Sequence, residues 1–70
     1  MDLEQLLRNI EMARDAAKED AAAFGAQAET LKGEQRVGEM LSVVIAQGAA
    51  EAVDVALSRI LGETRTRADT

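Results

Sequence analysis

The sequence predicts an all-α protein: an antiparallel hairpin of two helices, at about residues 3–32 and 35–61, that dimerises into a four-helix bundle. Proline is absent and only one of the 70 residues is aromatic, a composition typical of helices. Along the first half of the chain, apolar residues recur every three or four positions. Residues 41–61, LSVVIAQGAAEAVDVALSRIL, are apolar nearly all round a helix, so we expect this helix to be buried on several sides.

The first helix has recognisable start and stop signals. Asp2 is a suitable N-cap, and Gln5 follows three residues later, as in a capping box. At the other end, Lys32 places a cation in the last turn and Gly33 comes directly after it. These signals predict a helix that begins at Leu3 and ends near Lys32.

Gly25 lies inside this helix, in the low-charge stretch AAAFGAQA. A glycine inside a helix costs about 1 kcal/mol relative to alanine, so either a neighbouring segment packs closely there or the helix bends or breaks. We expect close packing, because Phe24 and Leu31 keep the same face on both sides of Gly25. Whether the helix is continuous through Gly25 is a question for the structure.

The second helix begins a few residues after Gly33, and Arg59 with Gly62 repeats the stop signals near Leu61. Residues 63–70, ETRTRADT, have no apolar periodicity, and we expect them to be disordered. The chain then divides into a helical hairpin domain at 1–62 and a tail at 63–70. The sequence leaves open whether Arg65 and Arg67 in this tail have any role.

A short loop makes the two helices antiparallel. With the turn near Gly33, residues whose numbers sum to about 65 lie level, which places Ala17 opposite Gly48. Small residues then meet at the middle of the hairpin and larger ones at its ends. The residues predicted to pack within the hairpin are Leu6, Ile10, Ala13, Ala17, Phe24, Leu31, Leu41, Ile45, Gly48, Ala52, Ala56 and Ile60.

This hairpin leaves a second apolar side of the second helix unused. The residues predicted to form a dimer or partner interface there are Val43, Ala46, Ala50, Val53, Leu57 and Leu61. Burying a valine or leucine contributes about 1.5–3 kcal/mol, and a 70-residue chain without cysteine has no disulfide to stabilise it. We therefore predict a two-fold homodimer, and the rival is a monomer that binds a different protein.

The residue types exclude most catalytic chemistry. The chain has no histidine, cysteine, tyrosine or tryptophan, so Ser-His-Asp and Cys-His catalysis and nearly all transition-metal sites cannot be built. Two helices also offer no pocket for a substrate. We predict that the protein is not an enzyme and has no catalytic, metal or cofactor site and no small-molecule substrate.

Charge and hydropathy limit the partners. Arg8, Arg14 and Lys18 form a sparse basic line and are weak anion-binding candidates, but acids interrupt the line and the net charge is −5. Nucleic acid is therefore not the expected partner. The chain shows no basic and apolar leader, and its longest uncharged run, 40–50, is shorter than the ~20 residues of a membrane span. We expect a cytoplasmic protein that does not enter a membrane.

The outline resembles two kinds of small helical hairpin. In length, acidic charge and layered core it is similar to the Rop-like RNA-binding dimers, which implies an RNA-binding role for the basic line on the first helix. The opening LEQLLRNIE and the later stretch AAEAVDVAL resemble co-chaperones of type III secretion needle subunits. That resemblance implies a heterocomplex with a needle protein.

From the residues themselves we predict a non-catalytic protein-binding regulator or adaptor, of the kind found in bacteria and phages, that acts as a homodimeric bundle. The co-chaperone and the Rop-like dimer are the alternatives. The sequence does not identify the protein partner or the pathway, and it leaves the choice between a homo-oligomer and a hetero-oligomer open.

Overall fold

The computed structural model describes residues 2–68 and consists of two helices, α1 (Leu3–Gly33) and α2 (Val37–Ala68). The helices run antiparallel along each other and form a rod of 53 × 16 × 13 Å. No strand occurs in this part of the chain. The all-α helical hairpin predicted from the sequence is therefore confirmed.

α1 begins where its cap predicts. The backbone of Asp2 is extended (φ −84°, ψ 170°), and the Asp2 carboxylate accepts a hydrogen bond from the backbone N–H of Gln5, with an N···O distance of 2.7 Å. Glu4 lies in the first turn, where a negative charge interacts favourably with the helix dipole. From Leu3 the helix continues without interruption through Gly25.

The turn is built around Gln35. The Gln35 N–H donates to the Lys32 carbonyl at 3.1 Å and the Arg36 N–H donates to the Leu31 carbonyl at 2.9 Å, which is the Schellman pattern. Gln35 has φ 59° and is the one non-glycine residue with positive φ among residues 2–68. Gly33, predicted to lie just beyond the helix, instead belongs to its last turn.

α2 extends past the end predicted at Leu61. Arg65 forms an ion pair with Glu11 of α1, and the Thr66 hydroxyl donates to the Gly62 carbonyl at 2.8 Å. Arg65 also lies in the last turn of α2, where a cation interacts favourably with the helix dipole. The prediction of a disordered tail was therefore wrong for 63–68, and positions 69–70 lie outside the described residues.

The core is small. Among the side chains that the structure describes, at positions 2–67, four are buried, Ala17, Ala28, Leu31 and Leu61, and Leu61 is the most enclosed at 1% exposure. On α1, Ile10 and Phe24 are half-buried and belong to the same inward side. Leu6 and Ala13, which were predicted to pack with this set, are exposed.

α2 is rotated relative to the prediction. Residues that were assigned to a dimer or partner interface pack toward α1 and are partly or fully buried: Val43, Ala46, Ala50, Leu57 and Leu61. Residues that were assigned to the hairpin contact are exposed instead: Leu41, Ile45, Gly48, Ala52, Ala56 and Ile60. The two predicted sides of α2 are thus exchanged, except that Val53, which was predicted to lie in the dimer or partner interface, is 48% exposed.

The rotation has a physical reason. Because α2 is apolar nearly all round, its pattern is compatible with either side facing α1. The turn also lies later in the chain than Gly33, and this moves the register: Gln47 lies opposite Gly25, where the predicted register would place Met40. The alanine-rich inward side of α1 is therefore matched to a different side of α2.

Candidate interaction surface

An apolar strip runs along the side of α2 that faces away from α1. We term it the outer strip, and it consists of Leu41, Val44, Ile45, Gly48, Ala52, Val55 and Ala56. All seven residues are exposed, with Ile45 at 73% and Val55 at 57%. At 100° per residue they fall within roughly 120° of the helix circumference, and at 1.5 Å per residue they extend over about 22 Å.

Polar groups in the middle of α2 lie away from this strip. The Ser58 hydroxyl donates to Asp54 Oδ1 at 3.2 Å, and both residues are half-buried on the α1 side. Gln47, also half-buried, donates through Nε2 to Glu51 Oε1 at 3.3 Å. These side chains therefore bond along their own helix, and the outer strip contains no charged or hydrogen-bonding side chain.

An isolated hairpin in water is most stable when its apolar side chains face the other helix and its polar side chains face the solvent. The middle of α2 shows the reverse. Half-buried Gln47, Asp54 and Ser58 occupy part of the α1 side, while the large apolar side chains of Leu41 and Ile45 are exposed. Single exposed apolar residues are common, but a continuous exposed apolar strip marks an interaction surface. The sequence prediction of a spare apolar side on α2 thus applies to the outer strip.

The accessible surface is also larger than a compact chain would have. The protein exposes 5072 Å². A compact monomer of 7.5 kDa is expected to expose about 4,200 Å². The difference, roughly 800 Å², reflects the elongated shape of the hairpin, 53 × 16 × 13 Å.

The sequence prediction assigned residues that the structure turns toward α1 to the spare apolar side of α2, and so it missed the outer strip. Val44 and Val55 belong to it but were not assigned to any site. Gln47, Glu51, Asp54 and Ser58 are spaced four, three and four residues apart. Residues at this spacing lie on one side of a helix, so their polar side chains can form hydrogen bonds with each other along it. Such pairing allows them to lie at the edge of a helix contact.

The three basic residues of α1 do not form a uniform positive surface. The Arg14 guanidinium donates to Asp15 Oδ1 through Nη2 at 3.0 Å and through Nε at 3.2 Å. Arg8 borders a shallow hollow that also includes Glu4, Glu11 and Arg65. Lys18 is exposed. Carboxylates therefore lie beside two of the three predicted anion-binding residues.

The turn carries a further exposed ion pair between Arg36 and Glu39. The hydrogen bond from Arg36 to Glu39, together with the negative charge of that carboxylate, raises the pKa of Arg36. Both side chains are at least half exposed, so the pair has little effect on stability. Within residues 2–68, no group of three acidic side chains is arranged to hold a metal ion.

By length and composition alone, the Val37–Arg67 part of α2 could cross a membrane. The core helix of a water-soluble protein passes the same test, so this property is weak evidence for a membrane location. Glu51 and Asp54 lie near the middle of this segment. The cytoplasmic location therefore stays a prediction.

The fold and the outer strip can be set beside known proteins. A two-helix hairpin of this size is too general a fold to indicate a function by itself. The chain matches no protein-family model, no curated protein and no solved structure.

Proposed function

We propose that the protein is a non-catalytic regulator or adaptor that acts as a homodimer of two helical hairpins and binds another protein. The observation that carries the proposal is the outer strip, a charge-free apolar surface about 22 Å long on the exposed side of α2. The absence of histidine and cysteine from the sequence supports a role in binding rather than in catalysis.

The energetic argument concerns the large residues of the strip. Leu41, Val44, Ile45 and Val55 are between 43% and 73% exposed in the single hairpin. Full burial of such a side chain contributes about 1.5–3 kcal/mol, so covering these residues recovers several kcal/mol per chain. A hairpin with four buried side chains has little other core, so association is the main route to further stability.

Homodimerisation is favoured because one surface then serves both copies. In a two-fold dimer the outer strip packs on itself. Because this strip faces away from α1, the four helices then lie in one layer with the two α2 helices at its centre, and not around a shared core as in the predicted four-helix bundle. The charged outward side of α1, including Asp15, Lys18 and Glu19, stays in water. That charged side is then the surface left for a protein partner.

The proposal is tested by sedimentation equilibrium on the wild type and on Ile45→Asp, with Met12→Asp as the matched control. Met12 is 66% exposed on α1, outside the outer strip. The wild type is expected to be a dimer. Ile45→Asp is expected to raise the dimer dissociation constant by about 30-fold or more, because an unpaired carboxylate would be buried in the interface. Met12→Asp is expected to stay dimeric.

Other results would favour a different function. A wild type that is monomeric and weakly helical alone would favour the secretion co-chaperone, which needs its partner for stability. Salt-sensitive retention on an RNA column, lost in Arg8→Ala/Lys18→Ala, would favour the Rop-like dimer. A wild-type chain that is fully helical and monomeric at all concentrations would refute the homodimer.

A further inference from the structure

We infer that two copies of the chain pack through their outer strips in an antiparallel arrangement, with the two-fold axis between Gly48 and Ala49. This inference rests on the proposed homodimer and adds its orientation and register. It follows from the order of side-chain sizes along the strip, from a glycine that the hairpin does not require, and from the charges around the strip.

The sizes of the side chains are complementary about this axis. The larger residues Leu41 and Ile45 lie toward the amino end of the strip, and Ala52 and Ala56 lie toward its carboxyl end. In the antiparallel arrangement Leu41 is level with the partner's Ala56, and Ile45 is level with the partner's Ala52. These two large side chains then pack over small ones, and the helix axes stay equally spaced along the interface. Val44 of each copy lies about 3 Å from level with the partner's Val55, so the valines pack beside each other.

A parallel arrangement does not give this fit. It places Leu41 and Ile45 against the same residues of the partner at one end, and alanine against alanine at the other. The interface would then be crowded at one end and open at the other, which leaves a gap between the helices. It also brings Arg59 of the two copies together, whereas the antiparallel register places Arg59 level with the partner's Gly38.

Gly48 agrees with this axis, and it shares its open surroundings with Gly38 and Gly62 of α2. It lies inside α2 with a negative φ, and a Cβ built on it meets no atom within 4 Å. Glycine inside a helix is destabilising relative to alanine, and nothing in the hairpin compensates for it at this position. A second backbone close to Gly48 would account for the missing side chain, and the proposed axis places one there.

The charges favour a second copy over a lipid surface. Glu51 lies at the margin of the strip and Asp54 on the α1 side, both near the middle of α2. At this level α1 carries Lys18 and Asp20. Carboxylates at mid-helix are costly in a bilayer, but in a dimer Glu51 can stay in contact with water.

Disulfide cross-linking tests the orientation, because the natural chain has no cysteine. Ile45→Cys and Ala52→Cys are made separately, checked for dimerisation by sedimentation, and oxidised alone and as a mixture. In the antiparallel dimer, position 45 of one copy is displaced from position 45 of the other by about 10 Å along the helix. Disulfides need Cα atoms closer than about 7 Å, so only the mixture is expected to cross-link.

The outcomes separate this inference from the proposed function. If each variant cross-links to itself and the mixture adds no new product, the dimer is parallel, and the orientation is refuted while the dimer stands. If the wild type is a monomer in sedimentation, both fail. A monomeric wild type that floats with phosphatidylcholine vesicles would identify a membrane as the occupant of the strip.

A second pair of variants covers the case in which the cysteine variants do not dimerise. Gly48→Leu is expected to raise the dimer dissociation constant about tenfold or more, because its side chain would enter the closest part of the interface. Gly62→Leu is the matched control, since Gly62 is also helical with no atom within 4 Å of a built Cβ. Equal dissociation constants for the two variants would refute the position of the axis.

Discussion

Gln47 of α2 covers Gly25 of α1 so closely that a Cβ built on Gly25 would lie 2.9 Å from Gln47 Nε2. The same amide nitrogen donates to Glu51 Oε1 at 3.3 Å. Gly25 was expected to mark a close approach, and the structure places one there. The approaching group is a side chain, so its position depends on the rotation of α2 about its axis.

This contact predicts an energetic coupling between positions 25 and 47. Gly25→Ala in a Gln47→Ala background is expected to raise the free energy of unfolding by about 1 kcal/mol, the ordinary difference between alanine and glycine in a helix. In the natural background the gain is expected to be smaller, because the new methyl group displaces the Gln47 amide from Glu51. Urea denaturation of the four proteins, at one chain concentration, measures this difference. Equal gains in both backgrounds would contradict the contact.

Neighbouring residues near the end of α2 test its rotation. Leu61 is 1% exposed and Ile60 is 45% exposed. Leu61→Ala is expected to lower the free energy of unfolding by about 2–5 kcal/mol, because it leaves a cavity against α1. Ile60→Ala is expected to cost less than half as much, since much of its side chain is already in water. Thermal unfolding followed by circular dichroism compares the two, and a larger loss for Ile60→Ala would support the rotation first predicted.

The turn supplies a stabilising substitution. Gln35 has φ 59°, a conformation that is costly for residues with a Cβ and accessible to glycine. Gln35→Gly is expected to raise the free energy of unfolding by about 0.5–1 kcal/mol, and the β-branched Gln35→Val is expected to lower it. Gly33→Ala is the matched control: Gly33 is helical with open space at its Cβ position, so alanine is expected to stabilise there. A destabilised Gln35→Gly would contradict the left-handed turn.

Local sequence signals predicted both helices and the start of α1, but they did not predict where either helix ends. The Asp2 cap fixed the start of α1 because a cap acts through its nearest neighbours in the chain. Gly33 was mistaken for the residue that turns the chain, since glycine usually occupies the position that Gln35 holds. The helical state of 63–68 involves the pairing of Arg65 with Glu11, a contact across the hairpin that spacing along one segment does not reveal.

The sequence predicted that the hairpin leaves one apolar side of α2 uncovered, but it did not predict which residues form that side. The nearly continuous apolar surface of α2 indicated that one hairpin cannot cover the helix. Which side remains uncovered depends on where Gln47, Asp54 and Ser58 lie, and the structure places these polar residues half-buried on the α1 side. Because these side chains form hydrogen bonds along their own helix, they can be half-buried against α1. The opposite side of α2, which includes Ile45, is then left exposed.

The brevity of the connection between Gly33 and Val37 has a kinetic consequence. Contacts beside the turn join residues that are close in the chain, so the hairpin can close from the turn toward its ends with little loss of loop entropy. Closure of this kind takes microseconds, whereas docking of two chains is slower and depends on concentration. Refolding is therefore expected to separate into a rapid first-order phase and a slower second-order phase.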